Sequence, residues 1–308
     1  MQDFDGLAAA HKLVITKYLS NSDIAKLAQT SRAHSEFFQP LLDVPKFLHY
    51  VVRGEYDAVQ AMLEKDSSLI FKRGVVRDCS GREFENISGF EYALWALDKH
   101  MWAHMIACIP TNEEGRKVFE KILAQYNKVN TMGVTYKLNG KPITERHFDF
   151  ENTIIKELQT QVDSINTPGD MDLDAIDEQW RVGVGGAQKQ LPMHVVDEYC
   201  SNELFYPVPK FISPPKSSKK FYNLTTHNYE DWFGVDSKLG SEIAIYRSAW
   251  GPCAFRSREF EGRAIHGIVQ ARVVMKALCE VRTLDLINLK SQLKEHASLD
   301  NYHQVVPR

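Results

Sequence analysis

The chain lacks the features that would tie it to a membrane, an oxidising compartment or nucleic acid. No apolar run approaches the ~20 residues that a bilayer-spanning helix needs. The opening MQDFDGLAAAHK puts acids ahead of a short apolar run, which is not the pattern of a secretory leader. Cysteine is sparse. Cys79, Cys108, Cys200, Cys253 and Cys279 are odd in number and too scattered for a metal knuckle, so reduced thiols are expected. Charge of one sign is lacking too. A net charge of -3 and a pI near 6.4 give no overall electrostatic grip on nucleic acid or on an anionic membrane. No cofactor-binding motif is complete, and no cofactor or metal is expected.

What is present is ordinary globular material. With 308 residues, 44% hydrophobic and 25% charged, the chain can bury a sizeable core in about two domains. Gly6 to Leu19 carries Leu7, Leu13, Val14, Tyr18 and Leu19 as a helical stripe. Asn21-Ser22-Asp23 supplies caps for a second helix with Ile24, Leu27 and Ala28 on one face. Ser31 can cap a third, bearing Phe37, Phe38, Leu41 and Leu42, which Pro40 and Pro45 should shorten or kink.

From Phe47 the plan changes. FLHYVVRGEYDAVQAMLEKDSSLIF reads as helix, corner at Gly54, helix, and FEYALWALDKHMWAHMIACIP repeats that plan. Helix pairs recurring at tens of residues mark a helical repeat array. VVRDCSGREFENI between them reads as a protruding hairpin, and Asn139-Gly140 between alternating runs is a strong two-residue hairpin signal. Thr111 should cap a helix through Lys128, and Thr167-Pro168-Gly169-Asp170 breaks the chain after another. Asn202 to Lys220 is rich in Pro and Ser and reads as an extended strap, its Phe205, Tyr206 and Phe211 pinned to the surface. EIAIYRSAW reads as a strand. Arg258 to Leu293 reads as a helix with Ile265, Ile268, Val269, Val273, Ala277, Val281, Leu284 and Leu289 along one stripe.

The first of these segments resembles an F-box, the three-helix module by which substrate receptors join cullin-type ubiquitin ligases. Tyr18-Leu19-Ser20, Asp23-Ile24 and Leu27-Ala28-Gln29-Thr30-Ser31-Arg32 fall in step with its pattern, with Leu7 at the opening leucine. The resemblance implies docking on a Skp-type adaptor. A module this small completes its apolar packing against a partner, so Leu7, Ile15, Leu19, Ile24 and Leu27, with Asp23 at the corner, are the expected anchors. Ala8 stands at the family's proline, His11 and Lys12 at apolar places, and Ala33-His34 at a tryptophan-bearing segment. Each departure removes apolar contact or rigidity and weakens the expected grip.

The helix pairs resemble degenerate ankyrin repeats, which bind proteins through hairpin tips and a concave face. Here Asp78 to Arg82 would be such a tip. The two features together resemble effectors that intracellular bacterial pathogens deliver into host cells. The run from Trp180 to Arg247, with Gln188, His194, Glu198-Tyr199-Cys200, Pro207, Trp232-Phe233 and Leu239-Gly240, is similar to a segment recurring in that group.

An enzyme in the C-terminal part is the rival reading. Cys253 or Cys200 would be a thiol nucleophile with His194, His227 or His266 as base and Asp197, Asp231 or Asn228 as orienter. Val182 to Gly186 lacks the Lys-Ser/Thr of a phosphate loop. His194, Asp197, Glu198 and Cys200 mix hard and soft donors, and a solvated acidic face is favoured over a metal site. Arg247, Arg256, Arg258 and Arg263 would receive an anion or pair with nearby acids.

The expected architecture is mainly α with short β-hairpins, an α+β protein. Residues 1-44 form the F-box-like module, 45-130 the ankyrin-like pairs and 131-308 a C-terminal α+β domain. The expected function is a non-enzymatic adaptor in the host cytoplasm. It would join a cullin ligase's Skp-type adaptor to a target protein, with no nucleic-acid or membrane partner.

Overall fold

The computed structural model describes residues 9–16, 18–166, 172–248, 251–255 and 262–298. Three helices open it: α1 (Ala9–Thr16), α2 (Asn21–Ala28) and α3 (Arg32–Val52). Ser20, one residue before the expected cap, accepts from the Asp23 backbone N–H at 3.2 Å, and Ser31 accepts from that of His34 at 3.1 Å. Pro40 and Pro45 do not shorten α3, which runs 21 residues through both. Each proline removes one intrahelical donor, and packing on two different cores compensates. Phe38 joins Ile24 and Ala28 in a small core, while Phe47, Leu48, Val51 and Val52 enter the large one. The expected division at 44 and 45 falls inside this helix.

A corner at Gly54 (φ 65°) leads to α4 (Tyr56–Leu63). α5 (Gly89–Ala96) and α6 (Lys99–Ala107) repeat the hairpin, and α3 packs on α5 as α4 packs on α6. α7 (Glu113–Met132), capped by Asn112 rather than Thr111, covers α5.

Two hairpins build the first sheet: β1 (Arg73–Arg77) with β2 (Glu83–Ser88), and β3 (Val134–Leu138) with β4 (Lys141–Glu145). Asn139 and Gly140 both have positive φ, 51° and 77°, as a type I′ turn requires. Glu83 opposite Lys137 joins the hairpins in the order β1-β2-β3-β4. The first hairpin does not protrude. Ser80 Oγ donates to the Leu191 carbonyl at 3.1 Å and Arg82 Nη2 to that of Gln190 at 2.7 Å, so its tip is docked, with Asp78 and Arg82 buried and Cys79 to Gly81 half-buried.

A π-helical turn, Glu151–Ile155, opens α8 (Lys156–Asn166). α9 (Leu173–Glu178), a π-helical turn at Gln179–Val184 and α10 (Gly185–Lys189) run on without a break. Gly183 to Gly186 is therefore helical. After α11 (Met193–Tyr199) come β5 (Lys220–Asn223), β6 (Asn228–Asp231), β7 (Ala244–Ser248) and β8 (Gly251–Phe255). Their order is β6-β5-β8-β7, with only β5 and β8 parallel among neighbours.

The last described element, α12 (Gly262–Ser298), spans 37 residues and packs on β7, α8 and α7. Its buried face is Ile268, Ala271, Val274, Met275, Leu278, Arg282, Leu289 and Leu293. Val273 and Leu284 of the expected stripe are exposed at 37% and 58%. The helix meets different partners along its length, and an arginine occupies one inward position, so an apolar count misplaces its inner face. One large core joins both halves of a mixed α+β protein.

Candidate functional site

The N-terminal helices present the molecule's candidate docking surface. Their own core is three residues, Ile24, Ala28 and Phe38, flanked by the half-buried Leu19, Leu27, Phe37, Leu41 and Leu42. So small a core leaves apolar side chains over. Leu13 (43%), Val14 (53%), Ile15 (36%) and Tyr18 (85%) are exposed on α1 and the turn after it. Asp23 is exposed at the corner, where the Ser20 hydroxyl donating to its carboxylate at 2.7 Å holds it below the usual carboxylate range.

Of the expected anchors, Ile15 is exposed, Leu19 and Leu27 are half-buried against the module's own core, and Ile24 is inside that core. Leu7 lies outside the described residues. Leu13, Val14 and Tyr18 were legible as a stripe, but which of its members face solvent depends on where α2 and α3 pack.

A second cluster lies where α4, α6, α11 and α12 meet. Arg282, fully buried, donates Nη1 to the Phe211 carbonyl and to Asp285 Oδ2, each at 3.1 Å, and Nη2 to His100 Nε2 at 2.8 Å. Glu198 Oε1 lies 3.8 Å from the same guanidinium. Asp98 caps α6 through the Met101 N–H at 3.0 Å and accepts from Tyr56 Oη at 3.4 Å. His194 Nε2 donates to the Ala96 carbonyl at 2.6 Å.

Burial dominates the electrostatics of this junction. It pushes Asp98 and Asp197 up to about 6 and Glu198 up to about 7, and it pulls His100 and His194 down to about 3, with Arg282 adding to both histidine shifts. Asp197 Oδ1 is buried without a partner. The acidic face expected to be solvated is thus an interior junction between chain-distant elements. Among the described residues, no group of three or more His, Cys, Asp or Glu side chains is arranged to hold a metal.

The remaining candidates separate. Cys200 is buried, and its thiol is pushed up by desolvation. Cys253 Sγ lies 3.5 Å from Ser248 Oγ. Among the described residues no cysteine is hydrogen-bonded to a histidine, so the structure does not assemble the thiol–imidazole pair. Arg247 donates Nη2 to the Ser201 and Glu203 carbonyls, both at 2.6 Å, and so clamps the start of the strap. Arg256 and Arg258 lie outside the described residues, as does the Arg263 side chain. Gln188, fully buried, pairs with both backbone groups of Ile245, at 2.5 and 2.8 Å, and its carbonyl accepts from Trp232 Nε1 at 3.2 Å. Gln188, Trp232 and Arg247 of the C-terminal run therefore fasten the chain to itself. Among the described residues no helix is long and apolar enough to cross a membrane.

Residues 153–293, from the π-helical turn before α8 into α12, match the family described as the CBUA0006 C-terminal domain. The uncharacterized protein CBUA0006 of Coxiella burnetii (strain RSA 493 / Nine Mile phase I) is 36% identical over 273 residues, which cover 82% of this chain and 75% of that protein. No solved structure matches the chain. The similarity reaches well beyond the C-terminal part, and the chain belongs to the family of Coxiella burnetii CBUA0006.

Proposed function

We propose that this chain is a non-enzymatic docking protein acting inside a host cell. Its N-terminal helices would bind the Skp-type adaptor of a cullin ubiquitin ligase in the manner of an F-box. The helix-pair stack or the C-terminal part would hold the target. Tethering raises the effective concentration of target lysines near the charged ubiquitin carrier. The observation that supports this reading is the exposure of Leu13, Val14, Ile15 and Tyr18 on a module whose core is separate from the main one. Exposed apolar side chains grouped on so small a module fit a partner's helices.

The test mixes the full chain with purified Skp-type adaptor on size exclusion. A complex is expected, and Ile15→Asp with Tyr18→Asp should abolish it without changing the melting temperature, because both side chains reach solvent. Leu19 and Leu27 are unsuitable targets, since charge there would break the module's own packing. Absence of a wild-type complex at roughly tens of micromolar sinks the reading.

A further inference from the structure

The chain as a whole is slightly acidic, yet from Leu204 to Tyr229 it contains no aspartate or glutamate and carries Lys210, Lys216, Lys219 and Lys220. Most of the strap lies in this stretch, with Glu203 just ahead of it; two arginines hold carbonyls at and beside the strap, and one of its own lysines ties it to the helix-pair half. Arg247 holds the Ser201 and Glu203 carbonyls, Arg282 holds that of Phe211, and Lys219 Nζ donates to the Arg53 carbonyl at 2.7 Å. Phe205 and Phe211 point inward, each 5% exposed. With those positions fixed, the intervening side chains are turned outward. Leu204 (55%), Tyr206 (72%), Val208 (37%) and Ile212 (74%) are exposed. Lys210 and Lys216 are exposed beside them and, among the described residues, form no ion pair.

We propose that the strap is a membrane-contact surface that adsorbs to anionic lipid. Tyr206 and Ile212 would enter the boundary between headgroups and acyl chains, with Lys210 and Lys216 at the phosphate level. An aromatic ring with a polar tip suits that boundary. The strap's irregular backbone forms few internal hydrogen bonds and cannot enter hydrocarbon, so insertion stops at the headgroups. The apolar tips are separated by prolines and lysines along the chain. A lipid interface demands no fixed shape, whereas a protein partner would need a contiguous patch. The acidic remainder of the chain confines contact to this face and makes it salt-sensitive. This inference is independent of the adaptor reading.

The experiment is co-sedimentation of the full chain with vesicles of phosphatidylcholine alone or with about 30% phosphatidylserine, at roughly 50 and 150 mM salt. Binding is expected only to the anionic vesicles and should weaken several-fold at the higher salt. The pairs Tyr206→Ser/Ile212→Ser and Lys210→Glu/Lys216→Glu should each lose about ten-fold or more, with unchanged melting temperatures. Leu173→Ser, at an exposed leucine on α9, should bind as wild type. The proposal is overturned if wild type does not bind the anionic vesicles at low salt. It is equally overturned if the serine pair binds normally, which would mean adsorption by charge alone, or if Leu173→Ser loses as much as the strap variants.

Discussion

Arg82 and Asp78 form an ion pair in which both side chains are 1% exposed, Nη1 to Oδ2 at 3.3 Å, at the tip of the β1–β2 hairpin. The guanidinium is also caged by aromatic faces, 5.1 Å from the Trp95 ring, 5.3 Å from Phe148 and 5.5 Å from Tyr136. Its other arm bonds the Gln190 carbonyl. A tip expected to meet an outside partner instead fastens the helix-pair half to the C-terminal half. Arg82→Ala should cost about 3–5 kcal/mol, because it leaves Asp78 buried and unpaired. Arg82→Met with Asp78→Asn should recover much of that loss. Urea unfolding decides the matter: a single variant within about 1 kcal/mol of wild type would show that water already satisfies the site.

The α4–α6–α11–α12 junction predicts a specific pH profile. Folded Glu198 keeps its proton to about pH 7, against 4.5 for the free side chain, so its contribution is lost as pH rises through that range. Asp98 and Asp197 have the same sign between 3.8 and about 6. His100 and His194 have the opposite sign. Held near 3 against a free value of 6.5, they add stability as pH climbs towards 6.5. The two sets largely offset each other, and since the histidine contribution is common to wild type and a Glu198 variant, comparing the two isolates Glu198. Glu198→Gln should therefore gain roughly 1 kcal/mol on wild type between pH 6.5 and 8. Parallel unfolding curves for the two proteins across that interval would refute the assignment.

These two sites also show which kinds of structure were legible in the sequence. Asn139-Gly140 dictates its own turn, because both residues accept positive φ. The helix pairs, the strap and a long last helix were legible from local pattern. Two of the three named strap aromatics are indeed pinned, while Tyr206 faces out. Arg282 was invisible: it interrupts an apolar stripe, and its partners His100 and Phe211 are 182 and 71 positions away. The docked hairpin tip failed for the same reason, since Gln190 lies 108 positions beyond Arg82. Pro40 and Pro45 misled because local rules weigh a lost hydrogen bond but not the two cores that hold α3 from either end.

Those two cores should respond separately to damage. Phe38→Ala empties the centre of the smaller one, where a buried phenylalanine is worth about 3–5 kcal/mol. Hydrogen exchange should then accelerate in α2 and the first half of α3, while α5, whose Phe90 and Trp95 belong to the main core, keeps its protection. If α5 loses protection together with α2, the module and the body unfold as one unit and the separation of cores has no energetic meaning.

Gly185 and Gly186 provide a paired test of what the glycine-rich stretch is for. A methyl group on Gly185 would lie 2.6 Å from the Ile243 carbonyl oxygen and 2.9 Å from the Gly240 nitrogen, both backbone atoms that cannot yield. A methyl group on Gly186 would meet nothing within 4 Å. Both residues are helical, where alanine is favoured over glycine by up to about 1 kcal/mol. Gly186→Ala should therefore be neutral or raise the melting temperature. Gly185→Ala must push α10 off the Leu239–Ile243 segment and should cost about 2 kcal/mol or more. A phosphate loop would show neither asymmetry, since its glycines serve an approaching ligand and not a neighbouring backbone. Equal melting temperatures for the two variants would mean that the close approach of α10 to Gly240 is not what requires glycine there.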